Sequence, residues 1–314
     1  MVRAAASPVV AFTFDLHEFD RAEDIARTAE WFRESCGIAT FFVPSAMFAE
    51  ARYGEPLRRV QRLGHEVASH THAHDWREVD ALMEGSREDV AFLSESFDRH
   101  GQFFGAAPTS FRSPRWCVLG PAAIEELARL GYAADSSATP QRLPLFSSKP
   151  WHPGWWSSPR RPHYLAPGLV EIPTSTLLVP AAAPTFLTLR AAGSRALLAL
   201  LELEARLDRD HPIVLQFHVE DFLLDGRRER DPGRLSWAHL LPRARGGFAL
   251  KHFLRDREPA RIVRSHLAIL ERFAGFQCST ITGIARHFME AEGSRDLSGG
   301  KVRAPGHATL ADPL

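Results

Sequence analysis

Short apolar runs alternate with longer amphipathic stretches along most of this chain, and that alternation leaves few folds open to it. The first run, Val9-Val10-Ala11-Phe12-Thr13-Phe14, is short and rich in residues that suit a buried pleated surface. A helical pattern follows over residues 21–35, and a second apolar run over 39–44. Further strands are predicted over 66–69, 109–112, 132–135, 169–172, 213–217 and 276–281, with helices over 87–100, 121–130, 188–207 and 260–273. Helical patterns close at Gly37, Gly64, Gly131 and Gly275 and new runs open soon after. Glycine supplies the left-handed conformation that such a helix terminus uses.

Strands alternating with helices give a parallel sheet, and this many units in 314 residues fit a closed (β/α) barrel better than an open sheet. Chemistry in such a barrel gathers at the carboxyl ends of the strands. Asp15 and His17 follow the first run, His70 and His74 the third, Arg112 the fourth, Asp135 the fifth and His218 the run over 213–217. Residues 140–167, rich in Pro, Trp and Ser, read as a functional loop or lid. Trp155 within it is a candidate for stacking on a sugar ring; the alternative is an indole that plugs the barrel rim. Residues 1–290 are read as one domain, and 291–314 as a flexible tail.

Composition excludes several classes of protein. Lys plus Arg equals Asp plus Glu, at 38 each, so there is no electrostatic case for a nucleic-acid partner. The cysteines, Cys36, Cys117 and Cys278, are too scattered for a disulfide framework or a cysteine zinc site. Met1–Ser7 lacks a secretory pattern and no apolar run approaches the ~20 residues of a membrane span, so a cytoplasmic location is expected.

His70 and His74 stand four apart with Thr71 between them, a spacing that lets two imidazoles address one ion. A divalent metal held by two imidazoles and a third ligand, zinc first among the candidates, makes water acidic enough to ionise near neutral pH. Hydrolysis of an amide then needs a base and an acid. Asp15 and His218 are the natural pair, with Arg112 placed to hold Asp15 ionised and Asp135 to assist His218.

Thr13-Phe14-Asp15, His70-Thr71-x-x-His74, Phe111-Arg112-x-Pro114, Asp135-Ser136-Ser137 and Leu215-x-x-His218 stand in the order of the five motifs of the polysaccharide deacetylase (NodB-homology) family, which residues 8–288 resemble. The resemblance implies a distorted parallel (β/α)7 barrel and a divalent metal, usually zinc, used to hydrolyse N-acetyl groups on amino sugars. It implies that His70 and His74 bind the metal, that Asp15 is the base positioned by Arg112, and that His218 is the acid assisted by Asp135. It also implies that the backbone near Arg115 and Trp116 helps hold the tetrahedral oxyanion.

One position departs from the family. The aspartate that usually follows the base and ligates the metal is replaced by Leu16. Asp15-Leu16-His17-Glu18-Phe19-Asp20 resembles the Asp-x-Glu-Glu-Phe-Asp motif of a subgroup, with His in the third position. Residue i+2 leaves a strand on the same side as residue i, which makes His17 the first choice for third ligand and Glu18 the second; if neither reaches, Asp15 itself is left to ligate. His72 reads as a bystander, His65 as structural, and Glu220 and Asp221 either as groove-lining residues or as a helix cap.

The expected activity is metal-dependent removal of N-acetyl groups from an amino sugar or glycan precursor. Alternatives are the same fold acting on another C–N bond (formamide, cyclic imide or ureide) and a catalytically inactive glycan-binding barrel. Residues 176–207 offer peripheral contact with a membrane, where a lipid-linked sugar would be met; the competing expectation is a barrel helix packed on the sheet.

Overall fold

The protein is described here in a computed structural model covering residues 8–142, 156–208, 210–222, 242–243, 247–248, 259–273 and 275–299. The strands are β1 (Val9–Asp15), β2 (Thr40–Val43), β3 (Glu66–Ser69), β4 (Ser110–Phe111), β5 (Ala134–Asp135), β6 (His163–Ala166), β7 (Leu169–Glu171), β8 (Thr176–Leu177), β9 (Val179–Pro180), β10 (Ile213–Phe217), β11 (Pro242–Arg243), β12 (Gly247–Phe248) and β13 (Gln277–Cys278). The helices are α1 (Ala22–Ser35), α2 (Ala51–Arg62), α3 (Trp76–Glu84), α4 (Phe92–Phe104), α5 (Pro121–Leu130), α6 (Ala183–Leu207), α7 (Pro259–Arg272) and α8 (Ile281–Gly299).

The main sheet runs β10-β1-β2-β3-β4-β5-β7-β6. Every neighbouring pair from β10 to β7 is parallel, so seven parallel strands form the wall, and β6 adds antiparallel to β7. Between β7 and β10 the wall is completed by an irregular stretch. Ser175 N–H donates to the Val214 carbonyl at 3.1 Å, and Gln216 N–H to the Ala181 carbonyl at 3.1 Å. That is the distorted (β/α)7 barrel expected of the sequence.

The pleat sorts the side chains. Ala11, Phe42, Ala68, Ala134, Val170 and Val214 pack together inside the barrel, where Ile281, Ile284 and Ala285 of α8 close its lower end. Phe12, Phe14, Leu16, Phe41, Val43, Leu215 and Phe217 face outward instead, against Ile25, Ala29 and Phe32 of α1 and Tyr53 and Leu57 of α2. Successive strand residues point to opposite faces. Inside the barrel the upper positions of the same strands are therefore Thr13, Asp15, His70, Gln216 and His218, the continuations of Ala11, Ala68 and Val214. The apolar periodicity that builds the core thus also aims the polar residues at a common point.

Two expectations about boundaries change. The stretch 140–167 is not wholly a loop: residues 163–166 form β6, and 143–155, with Trp155, lie outside the described residues. The predicted tail does not start at 291, because α8 continues to Gly299. Residues 300–314 lie outside the described residues. In α6 the backbone breaks at Arg190, and Leu197, Leu198, Leu201 and Ala205 of its second half are buried. Leu200, Leu203 and Leu207 are exposed. Among the described residues no helix is long and apolar enough to cross a membrane.

Candidate active site

The first side chain of the site is Asp15, at the end of β1. Its Oδ1 accepts from Arg112 Nη1 at 2.8 Å and its Oδ2 from Gln216 Nε2 at 3.0 Å. Burial alone would raise the carboxyl pKa; the Arg112 guanidinium, through its charge and its hydrogen bond, leads the opposing effects, and the group is held below its ordinary value. Arg112 is fully buried. Its Nη1 also donates to Thr13 Oγ1 at 2.7 Å, its Nε to the Ser136 carbonyl at 2.9 Å and its Nη2 to Ser136 Oγ at 2.8 Å, and the guanidinium lies 4.2 Å over the Phe42 ring. An ion pair this deep is stable only when its remaining donors are satisfied, as they are here.

The segment after β3 presents the imidazoles. His70 Nδ1 donates to the Arg112 carbonyl at 2.8 Å, which fixes the tautomer and leaves Nε2 as a bare lone pair. That Nε2 is buried and has no hydrogen-bond partner among the described residues. The next residues turn sharply: Thr71 (φ 64°) and His74 (φ 56°) both take left-handed backbone, a strain that side-chain-bearing residues adopt only when their surroundings enforce it. Glu78 enforces it by accepting the N–H groups of His72, Ala73 and His74 at 3.2, 2.8 and 2.8 Å. Asp75 caps α3 through Arg77 N–H and Glu78 N–H.

Four imidazoles assemble as a result. Ring centroids are 4.8 Å apart for His70 and His74, 4.7 Å for His74 and His17, and 5.0 Å for His17 and His218. Burial lowers the pKa of both His70 and His74 and keeps them neutral; at His74 the nearby His70 and Arg115 add to it. Neutral imidazoles with a free lone pair are what a divalent cation requires. The orphaned Nε2 of His70 in particular fits a metal ligand. Among the described residues no group of three or more His, Cys, Asp or Glu side chains stands in an arrangement that could hold a metal ion, so His70 and its neighbours would have to draw together around one.

Of the candidates for third ligand, the pleat returns His17 to the side of Asp15 and into this group. Leu16 points into the outer core, fully buried. Glu18 is exposed, and its carbonyl is anchored by Tyr53 Oη at 2.5 Å and Arg52 Nη2 at 2.9 Å. His72 bonds Ser45 Oγ at 2.8 Å through Nδ1, and His65 is locked between Ala39 N–H and the Ala29 carbonyl. Phe19, 72% exposed, stacks on His17 at 4.7 Å at the mouth of the site.

The carboxylate beside His218 is Asp221, in place of Asp135. Asp221 Oδ2 accepts the His218 backbone N–H at 2.7 Å and lies 3.5 Å from His218 Nδ1. Its pKa is lowered from 3.8 to about 2, against burial, by the hydrogen bond to His218 and the charge of His266. Asp135 follows Ala134, which faces the barrel interior, so the pleat turns Asp135 outward. There it pairs with Glu171, its register partner on β7, and accepts from Ser137 Oγ at 2.6 Å. Burial raises the pKa of both carboxyls, that of Glu171 well above its ordinary value. Glu220 sits half-buried in the turn that carries Asp221.

After β4, Ser113 N–H donates to Ser137 Oγ at 2.8 Å, and the turn Pro114–Trp116 carries Arg115 (φ 57°) and Trp116 (φ 52°) in left-handed backbone. Trp116 N–H reaches the Ser113 carbonyl only at 3.4 Å, long for a hydrogen bond. Gln216, Ser136 and Glu78 were not singled out from the sequence. Gln216 was within reach of it, because it lies two residues before His218 on one strand and so shares its face.

Residues 3–134 match the family model for polysaccharide deacetylase. Among solved structures, the chain is similar to a putative polysaccharide deacetylase from Mycobacterium smegmatis, at 20% identity over 92% of this chain and 93% of that one, with a TM-score of 0.53. It is also similar to the chitin deacetylase of Colletotrichum lindemuthianum, at 13% identity over 90% of each chain and a TM-score of 0.47. A family 4 acetyl xylan esterase from Clostridium thermocellum in complex with a cobalt ion has 12% identity over 88% of this chain and 89% of that one, with a TM-score of 0.42. No curated protein matches the chain.

Proposed function

We propose that this chain, a member of the polysaccharide deacetylase family through residues 3–134, is a metal-dependent hydrolase that releases acetate from an N-acetylated amino sugar or glycan precursor. The observation that carries this reading is the Asp15 carboxylate, buried and ionised between Arg112 and Gln216 at the edge of a group of four imidazoles. A base held this firmly serves a reaction, because a binding module has no use for one.

His70, His74 and His17 would hold the cation, zinc first among the candidates. The chemistry such a cation supplies is Lewis acidity toward the acetyl carbonyl and acidification of water. Asp15 takes the proton of the attacking water through the lone pairs that Arg112 and Gln216 leave open. The turn at Arg115 and Trp116 presents backbone N–H groups to the oxygen on which negative charge develops. His218 hands a proton to the departing amine, and Asp221 orients its ring and stabilises the imidazolium.

The test is acetate release from short N-acetylated amino sugars by the purified chain, stripped with chelator and then supplied with zinc or cobalt, beside the Asp15→Asn variant. We expect metal-dependent release that falls about 100-fold or more in the variant. A chain that takes up neither metal and releases no acetate overturns the reading in favour of a glycan-binding barrel. Metal-dependent release of formate, or opening of a cyclic imide, without acetate would move the activity to another C–N bond.

A further inference from the structure

Arg115 is a cation that the described part of the site leaves without an anion. Its guanidinium carbon lies 4.3 Å from the centre of the Trp76 ring, a cation–π contact that holds the side chain there. Nε is sealed from solvent with no acceptor among the described residues, and the side chain as a whole is half-buried. No carboxylate among the described residues comes within ion-pair distance of it. The carboxylates of the site have other partners: Asp15 is engaged with Arg112, Asp20 with the His17 N–H, Asp221 with His218, and Glu78 with the backbone of the imidazole turn. Burial lowers the pKa of Arg115, as expected for a cation short of compensating charge.

The position of Arg115 makes this more than a surface arginine. It follows the Arg112 turn, its backbone is held left-handed, and it is near enough to His74 for its charge to act on that imidazole. A guanidinium clamped on an indole has already lost most of its rotamer freedom, so little entropy opposes its binding of a planar or tetrahedral anion end-on through two N–H groups.

We propose that Arg115 reads an anionic substituent on the substrate, a carboxylate or a phosphate, so that the site selects acidic N-acetyl amino sugars over neutral ones. The inference rests on the proposed function for the identity of the sugar, but binding tests it without turnover.

The experiment uses the full metal-loaded chain and three probes: a neutral N-acetylhexosamine, the same sugar with an ether-linked carboxylate, and its phosphomonoester. Dissociation constants come from calorimetry, and kcat and KM from acetate release, for wild type, Arg115→Gln and Arg115→Lys. A charge-assisted hydrogen-bond pair predicts that wild type binds at least one anionic probe about 10- to 100-fold more tightly than the neutral one. In Arg115→Gln that ratio falls to about one, and Arg115→Lys restores part of it. Because the readout is a ratio, a general loss of folding lowers every value and leaves it unchanged. The carboxylate and phosphate arms tell which anion the site takes. Equal wild-type affinity for all three probes, absence of binding to any, or a preference that survives Arg115→Gln overturns the proposal. An Arg115-dependent preference without acetate release upholds it and overturns the deacetylase reading instead.

Discussion

The Asp221 carboxylate accepts the backbone N–H of His218 at 2.7 Å and stands 3.5 Å from Nδ1 of the same residue. One side chain therefore both caps the turn after β10 and holds the imidazole proposed as the acid. Asp221→Asn is expected to lower kcat by about 10- to 1,000-fold with KM within about threefold, measured on the released amine. The carboxyl pKa falls from 3.8 unfolded to about 2 folded. Its contribution to stability is thus complete above about pH 4 and is lost as pH drops toward 2, about 2 kcal/mol in all. Urea titrations at a series of pH values should show that loss in wild type and a flatter profile in Asp221→Asn.

Arg112→Lys keeps the charge but cannot reproduce the fork that reaches Asp15, Thr13 and Ser136 together. A buried pair that loses its geometry costs about 2–4 kcal/mol, and stability should drop by that amount in urea. Activity should fall about 100-fold or more, because Asp15 loses both its ionising neighbour's alignment and its fixed position.

Gln216→Leu removes the donor to Asp15 Oδ2 while keeping the volume inside the barrel. Loss of one hydrogen bond to a charged group predicts roughly a tenfold drop in kcat, with KM little changed. Gln216→Glu sets a second carboxylate against Asp15 and should be the more damaging of the two. Steady-state kinetics at one pH ranks them; equal activity in all three proteins would refute a role for Gln216.

His17→Ala should lower zinc or cobalt affinity by about 10- to 1,000-fold, and Glu18→Ala by no more than about threefold, as read by competition with a chromogenic chelator. The geometry behind this is the His17 ring between those of His74 and His218, against an exposed Glu18. The reverse order would assign the third ligand to Glu18.

Several of these residues were legible in the chain because the signal is local. The pleat that puts Ala11 inside and Phe12 outside carries forward to Asp15 inside and Leu16 outside, so the unsuitability of Leu16 and the return of His17 follow from alternation alone. The same alternation would have corrected the role expected of Asp135. One residue after the inward Ala134, it cannot share a face with His218; the expectation came from its place at a strand end and from motif order, neither of which gives side-chain direction. Gly293 and Ser294 weaken a helix by propensity, yet α8 runs through them to Gly299.

The sequence by itself determined the parallel barrel, the order of its strands and the side of each strand on which Asp15, His70, Arg112 and His218 stand, since periodicity and glycine punctuation are written in consecutive residues. Tertiary structure alone decided who meets whom at the rim. Gln216 reaches Asp15 across 201 positions of chain, Glu78 bends the imidazole turn, and Arg115 finds an indole and, among the described residues, no carboxylate. Those contacts depend on how far each strand end projects and how the loops between are tied. Such distances are set by the register of the whole sheet, and no local stretch encodes them.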